Sequence, residues 1–217
     1  MPSWMPANGP ERVLWIAIIL LVLGYPAGQW LNRQRSRRLG NWLQAGVGAL
    51  GGRVAWRWIK SVTSGAEVTV QDARAPYRNL SISYYLLTRE FPPLWLWERL
   101  IGKRDLLALK ADLRLQPGRE FEILPVKGKL RKDLDEASAD APFQWSELSD
   151  GLALGSRGAV DPAMLKRASD FMATYGAYVQ RISLRRRNPN VMAFFRLTGL
   201  ERTKSDALWR ALGELVR

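Results

Sequence analysis

Twenty consecutive residues near the start of the chain, Val13 to Asn32, carry no charge, and Arg12 and Arg33 bracket them. Coiled as a helix, such a run covers about 30 Å, the thickness of a bilayer's hydrocarbon core. Its leading part, Val13 to Leu23, is apolar without interruption and favours insertion by roughly 3 to 6 kcal/mol. Gly24, Pro26, Gly28 and Gln29 weaken the second half. Trp15, Tyr25 and Trp30 are amphipathic aromatics of the kind found at membrane interfaces. A single transmembrane helix is the expected reading. A cleaved signal peptide fits less well: no small-residue cleavage site follows, and arginines come at once. A buried helix of a soluble domain is the third reading.

The flanks set an orientation. Glu11 and Arg12 precede the run, whereas Arg33, Arg35, Arg37 and Arg38 follow it. Cationic loops stay on the cytoplasmic side, so residues 1–12 are expected outside and the rest of the chain in the cytosol. The host membrane would be the plasma membrane in a prokaryote and the endoplasmic reticulum in a eukaryote.

Net charge is +13 over 217 residues, and its placement is uneven. No acidic residue lies between Arg12 and Ala66, while Arg33, Arg35, Arg37, Arg38, Arg53, Arg57 and Lys60 all do. A second basic group is Arg181, Arg185, Arg186 and Arg187. Both groups are candidates for contact with anionic partners: membrane lipids, ribosomal RNA or other nucleic acid. Enforcement of topology is the simpler role of the first. The second is either a phosphate-binding row or an edge strand protected by charge.

Cysteine and histidine are both absent. That removes disulfides, thiol nucleophiles, Ser-His-Asp triads and nearly all common zinc sites. Acidic pairs such as Glu120 with Glu122, or Asp133 with Asp135 and Glu136, read as solvated surface, and Glu120 and Glu122 should share the solvent face of a strand. Asp133–Glu136 lacks the spacing and glycine of a calcium loop. No catalytic residue, cofactor, metal or small-molecule substrate is expected.

Past the anchor, residues 33–62 read as a basic juxtamembrane helical segment. Leu39, Trp42 and Leu43 fall at helical spacing. Gly46 to Gly52 is either a helix packed closely through its glycines or a loop. Residues 54–62 mix Trp with Arg and Lys and suit an interfacial helix or packing on the core. Residues 63–217 form the expected cytosolic domain. Strands are expected at Glu67–Gln71, Leu80–Leu87, Asp105–Gln116, Glu120–Leu124, Arg181–Arg186 and Val191–Leu197. Leu107, Leu109, Ala111, Leu113 and Leu115 alternate with Lys110, Asp112 and Arg114, and the turn Gln116–Arg119 predicts a hairpin with Glu120–Leu124. The Trp-rich stretch Leu94–Gly102, after Pro92 and Pro93, is a short helix against core or interface. Lys129–Ala137 is a charged helix, and Ser138–Gly158 a loop-rich crossing. Asp161 caps an amphipathic helix over Pro162–Val179, and Ser205 caps a last one over Asp206–Val216. The fold class is α+β: an antiparallel sheet with packed helices, preceded by one N-terminal transmembrane helix.

The order of features resembles the calumin family, coiled-coil-domain membrane proteins of the endoplasmic reticulum that work with the multipass translocon. The likeness lies in Arg38-Leu39 with Trp42, Lys103-Arg104-Asp105-Leu106-Leu107, Val160-Asp161, Phe171-Met172-Ala173-Thr174-Tyr175, Arg181-Ile182-Ser183-Leu184 and Phe194-Phe195-Arg196-Leu197. The 217 residues carry neither the family's acidic luminal region nor its charged coiled-coil tail, so a minimal or prokaryotic-like relative is expected. The resemblance implies a non-enzymatic accessory factor that assists insertion or folding of multi-spanning membrane proteins. Its partners would be insertion machinery or nascent membrane proteins. The alternative is a membrane-tethered adaptor that binds anionic lipid, RNA or the ribosome through the basic groups.

Overall fold

The uncharged stretch is the first half of a much longer helix. The computed structural model describes residues 9–127, 129–137, 142–158 and 160–217. Its α1 spans Gly9–Leu50, 42 residues, or about 63 Å at 1.5 Å per residue. The two halves obey different rules. Val13, Leu14, Trp15, Ile16, Val22 and Leu23 are all exposed, and 6% of the most apolar window is buried. From Gly28 onward a stripe turns inward: Gly28, Asn32, Ser36, Leu39, Leu43, Val47 and Leu50. That is the 3.6-residue period of a helix lying on a core. Pro26, which lacks an amide donor for the helical ladder, sits between the halves.

Gly51 and Gly52, both with positive φ, turn the chain from α1 into the sheet, so Gly46–Gly52 is helix as far as Leu50 and turn thereafter. Nine strands among the described residues form one antiparallel sheet. They are β1 (Arg53–Trp58), β2 (Gly65–Gln71), β3 (Tyr77–Tyr85), β4 (Leu106–Leu113), β5 (Phe121–Pro125), β6 (Phe143–Glu147), β7 (Leu152–Arg157), β8 (Val179–Leu184) and β9 (Val191–Arg196). Their order is β1-β2-β3-β4-β9-β8-β5-β7-β6. Helices α2 (Pro92–Leu100), α3 (Lys129–Ala137), α4 (Pro162–Tyr175) and α5 (Ser205–Leu215) complete the fold.

The second half of α1 joins α4 and α5 over one face of the sheet. Leu39, Leu43 and Val47 share a core with Val68, Leu109, Phe195, Leu208 and Leu212. Each buried leucine or valine contributes about 1.5–3 kcal/mol, whereas an exposed ion pair contributes about 0–1 kcal/mol. Over Leu39 to Leu50, packing rather than surface charge therefore holds the long helix to the domain. Trp42 adds an edge contact to Trp209 at 5.8 Å and donates from Nε1 to the Thr203 carbonyl at 2.6 Å.

Several expectations need correction, among them the helix expected over Pro162–Val179, which ends at Tyr175, with Val179 opening β8. β4 and β5 do not form a hairpin: β9 and β8 lie between them. The Gln116–Arg119 signal specifies a turn but not the partner of the strands around it, and long-range burial decides that pairing. Leu115 lies beyond the end of β4 and is 83% exposed. Within Ser138–Gly158 the chain forms β6 and β7, short strands whose Gly155 admits the Trp145 ring; Ser138–Ala141 lie outside the described residues. Arg53–Trp58 is strand rather than helix, because Val54, Trp56 and Trp58 alternate with Arg53, Ala55 and Arg57. Ser205 is not a side-chain cap: its hydroxyl donates to the Trp42 carbonyl. Asp161 does cap α4, accepting from the Ala163 amide at 3.0 Å.

Candidate membrane interface

The apolar half of α1 lies against the excursion between β3 and β4. A Cβ on Gly28 would stand 2.0 Å from the Arg89 carbonyl oxygen, and one on Gly24 would stand 2.4 Å from the Pro92 ring. Gly24 and Gly28, four residues apart on one helix face, thus let the excursion lie directly on the backbone. Phe91 precedes α2, and Pro92 and Pro93 open it, where a missing amide costs nothing.

No residue of α2 is buried. Leu94, Trp97, Leu100 and Ile101 fall at spacings of three, three and one, on one outward side, and Leu96 is also exposed. Its polar groups are drawn to its C-terminal end, where Lys103 pairs with Glu98 at 3.1 Å. An outward apolar side beside a helix long and apolar enough to cross a bilayer is continuous with that helix's own surface. Gly24 is seven residues before Leu31, about 10 Å along the axis.

Below this contact the α1 stripe turns polar, and a buried network takes over. Asp105 sits at its centre, with its side chain 2% exposed. Arg89 grips it with two nitrogens, Nη1 to Oδ1 at 3.2 Å and Nη2 to Oδ2 at 2.7 Å. Arg35 places Nε 2.8 Å from Oδ2, and the Leu87 amide donates to Oδ1 at 2.9 Å. Asn32 ties in from α1, donating to the Leu87 carbonyl at 3.0 Å and accepting from Arg89 at 2.8 Å. One turn on, the Ser36 and Tyr84 hydroxyls meet at 2.6 Å. Burial pushes the Tyr84 phenol above its ordinary pKa, and the Ser36 hydrogen bond offsets part of that rise. A buried carboxylate needs such pairing, since removing its partners costs about 3–5 kcal/mol. The network joins helix, excursion and sheet at the level where the apolar surface ends.

The seven cations expected in the first basic group divide. Arg35 is held by Asp105 and by Glu201 at 3.4 Å. Arg33 donates to Gln29 at 3.4 Å. Arg53 pairs with Asp72 at 3.2 Å, and Arg57 with Glu67 at 2.5 Å. The Ser81 hydroxyl holds the Glu67 carboxyl below the ordinary value of 4.5; burial opposes this, and Arg57 adds to the lowering. Arg37, Arg38 and Lys60 are exposed, and no side-chain partner is recorded for them among the described residues. On edge strand β1, Val54, Trp56 and Trp58 lie in register with Val70, Val68 and Ala66. They therefore continue the helix-covered face outward past α1, uncovered.

The second group does not form an open row. Glu122 is buried at 3% exposure, not on the solvent face. Arg181 reaches it with Nε at 3.0 Å and Nη2 at 3.2 Å, Arg185 with Nη2 at 3.1 Å, and the Ser183 hydroxyl at 2.5 Å. The Arg186 amide donates to Glu120 at 3.0 Å and its guanidinium to the Gly118 carbonyl at 2.9 Å. Arg187 alone of the four has no recorded side-chain partner among the described residues. Arg185–Arg187 also lie at the end of the sheet marked by Asn79 and Asp112, opposite the end where Tyr85 and Leu106 meet the α2 excursion. The structure therefore separates Arg185–Arg187 from the α1 cations, although Arg53 of the first group lies toward the same end of the sheet, on the far edge strand.

Asn32, Arg89 and Asp105 were not among the sequence-derived candidates. Asn32 and Ser36 carried a signal: they occupy the same stripe as Leu39 and Leu43, and a polar residue on a buried stripe implies a buried partner. Arg89 and Asp105 lie 57 and 73 residues from Asn32 and become its neighbours only through the tertiary fold. No family model matches the chain, and no curated protein matches it. The functional reading rests on the chain's own geometry.

Proposed function

We propose that α1 crosses a bilayer through residues 13–32, that α2 lies in the interface beside it, and that the arginine collar keeps the α+β domain on the cytosolic side. In this reading the protein is a non-enzymatic accessory factor that assists insertion or folding of multi-spanning membrane proteins. One observation carries the reading: an apolar helix pair, α1 with α2, offers lipid-level surface that the domain does not use for its own packing. Such a surface suits transient contact with another membrane segment. Photo-crosslinkers placed at Trp97 and Leu100 in living cells test this. Adducts with nascent membrane proteins or insertion-channel subunits are the expected result, and adducts with lipid alone contradict it.

A second reading is supported by the exposed Arg37 and Arg38, immediately past the apolar surface. It makes the protein a tethered adaptor for anionic lipid, each such cation contributing about 1 kcal/mol at an anionic membrane.

A further inference from the structure

We propose that a cleft between α1 and the one-turn 3-10 segment Leu200–Arg202 binds the phosphate of an anionic phospholipid headgroup. The proposal rests on the second reading above and gives it a discrete site. The cleft encloses about 480 Å3 and is lined by Leu31, Gln34, Arg35, Arg38, Leu39, Arg89, Glu201 and Arg202. That volume lies within the usual range for small-ligand sites. Four guanidiniums converge from three separate parts of the chain. Asp105 and Glu201 are the carboxylates they face, so the cleft retains two positive charges.

The arginines divide the work. Arg35 and Arg89 are fixed by Asp105, and a guanidinium has five donors, so each keeps N–H groups beyond those the carboxylate occupies. Arg38 and Arg202 are exposed, with no side-chain partner recorded among the described residues. Two held and two open guanidiniums around a cavity match a phosphodiester, which takes several charge-assisted hydrogen bonds on non-bridging oxygens.

Depth points to a lipid rather than a soluble phosphate. Gln34, Arg35 and Arg38 lie three, four and seven residues past Leu31, the last exposed apolar residue of the membrane-level half of α1, or about 4–10 Å along the axis. The headgroup layer of each leaflet occupies about the next 5–8 Å beyond the hydrocarbon. Leu31, partly exposed at the cleft mouth, continues the apolar surface on which an acyl chain would lie.

Native mass spectrometry of the full chain in mild detergent, titrated with phosphatidylglycerol or phosphatidylcholine, tests the assignment. The variants are Arg38→Gln with Arg202→Gln, and a charge-matched control, Arg78→Gln with Arg187→Gln, at the opposite end of the sheet. Wild type and control are expected to retain one phosphatidylglycerol in preference to phosphatidylcholine. The cleft variant should bind it at least tenfold more weakly with an unchanged unfolding midpoint. Equal weakening in both variants, or no preference for phosphatidylglycerol in wild type, overturns the site. Displacement of the lipid by equimolar glycerol phosphate overturns the lipid assignment in favour of a soluble phosphate. Carbonate extraction of the same variants separates this from the membrane reading: a chain that stays embedded but retains no phosphatidylglycerol refutes the cleft alone.

Discussion

The two arginine groups look alike in sequence and differ in the folded chain. Arg33, Arg35, Arg37 and Arg38 lie on α1, where steps of about 100° per residue send them in different directions. One is drawn into the Asp105 network, one reaches along its own helix, and two have no side-chain partner recorded among the described residues. Arg181 and Arg185 lie on and just past β8, where alternate residues share a face. With Ser183 between them they converge on a single buried glutamate. A helix disperses a run of cations, and a strand focuses it. Arg37 and Arg38 stay exposed on the helix, while Arg181 and Arg185 balance a buried carboxylate.

That contrast can be broken most forcefully at the two buried carboxylates. Asp105→Ala removes the counter-charge of both Arg35 and Arg89 and the acceptor of the Leu87 amide. It should lower unfolding stability by about 4 kcal/mol, read by chemical denaturation in detergent. It should also release α2, seen as faster amide exchange across residues 88–101. Glu122→Gln leaves Arg181 and Arg185 without their carboxylate and should cost about 3 kcal/mol. Exchange around α2 should stay at wild-type rates, because the two networks sit at different places on the sheet.

The surface arginines give the opposite pole. Arg37→Gln with Arg38→Gln should leave the unfolding midpoint within about 0.5 kcal/mol of wild type, whereas Arg181→Ala should not. Equal destabilisation by both would erase the distinction between free and engaged cations. The smallest effect belongs to Glu67, whose pairing with Arg57 and Ser81 is mostly at the surface. Its folded pKa is depressed, so its contribution is present above the unfolded value near 4.5 and is lost as pH falls through the folded value. Wild type should lose less than about 1 kcal/mol more than Glu67→Gln between pH 6 and pH 3, measured as parallel denaturation midpoints.

Local pattern was legible and partnership was not. The apolar run predicted the exposed half of α1, and the alternation at Leu107, Leu109 and Ala111 predicted the buried face of β4. Lys129–Ala137 is helix over the residues expected. Three of the failures share one cause. The β4–β5 hairpin, the exposed Glu122 and the open arginine row each assumed that sequence neighbours are the relevant neighbours. In the fold, β8 and β9 enter between β4 and β5 and bring Arg181 and Arg185 onto Glu122. At the interface, Trp95 and Trp97 were recognised as core or membrane material, but the choice depended on Gly24 and Gly28, more than sixty residues upstream. Those glycines read as weak points in a span. Their role is to let a second element reach the helix backbone.

The central claim is that α2 and the first half of α1 share the lipid phase while the far end of the sheet stands in water. Two exposed leucines mark the two places, Leu96 on α2 and Leu115 beyond β4. The chain contains no cysteine, so Leu96→Cys and Leu115→Cys each carry one spin label without background. Power-saturation electron paramagnetic resonance in reconstituted bilayers then reports depth directly. A label at position 96 that relaxes with oxygen and not with a water-soluble nickel complex, with the reverse at 115, is the result the account predicts. Equal access of the nickel complex to both labels would contradict it.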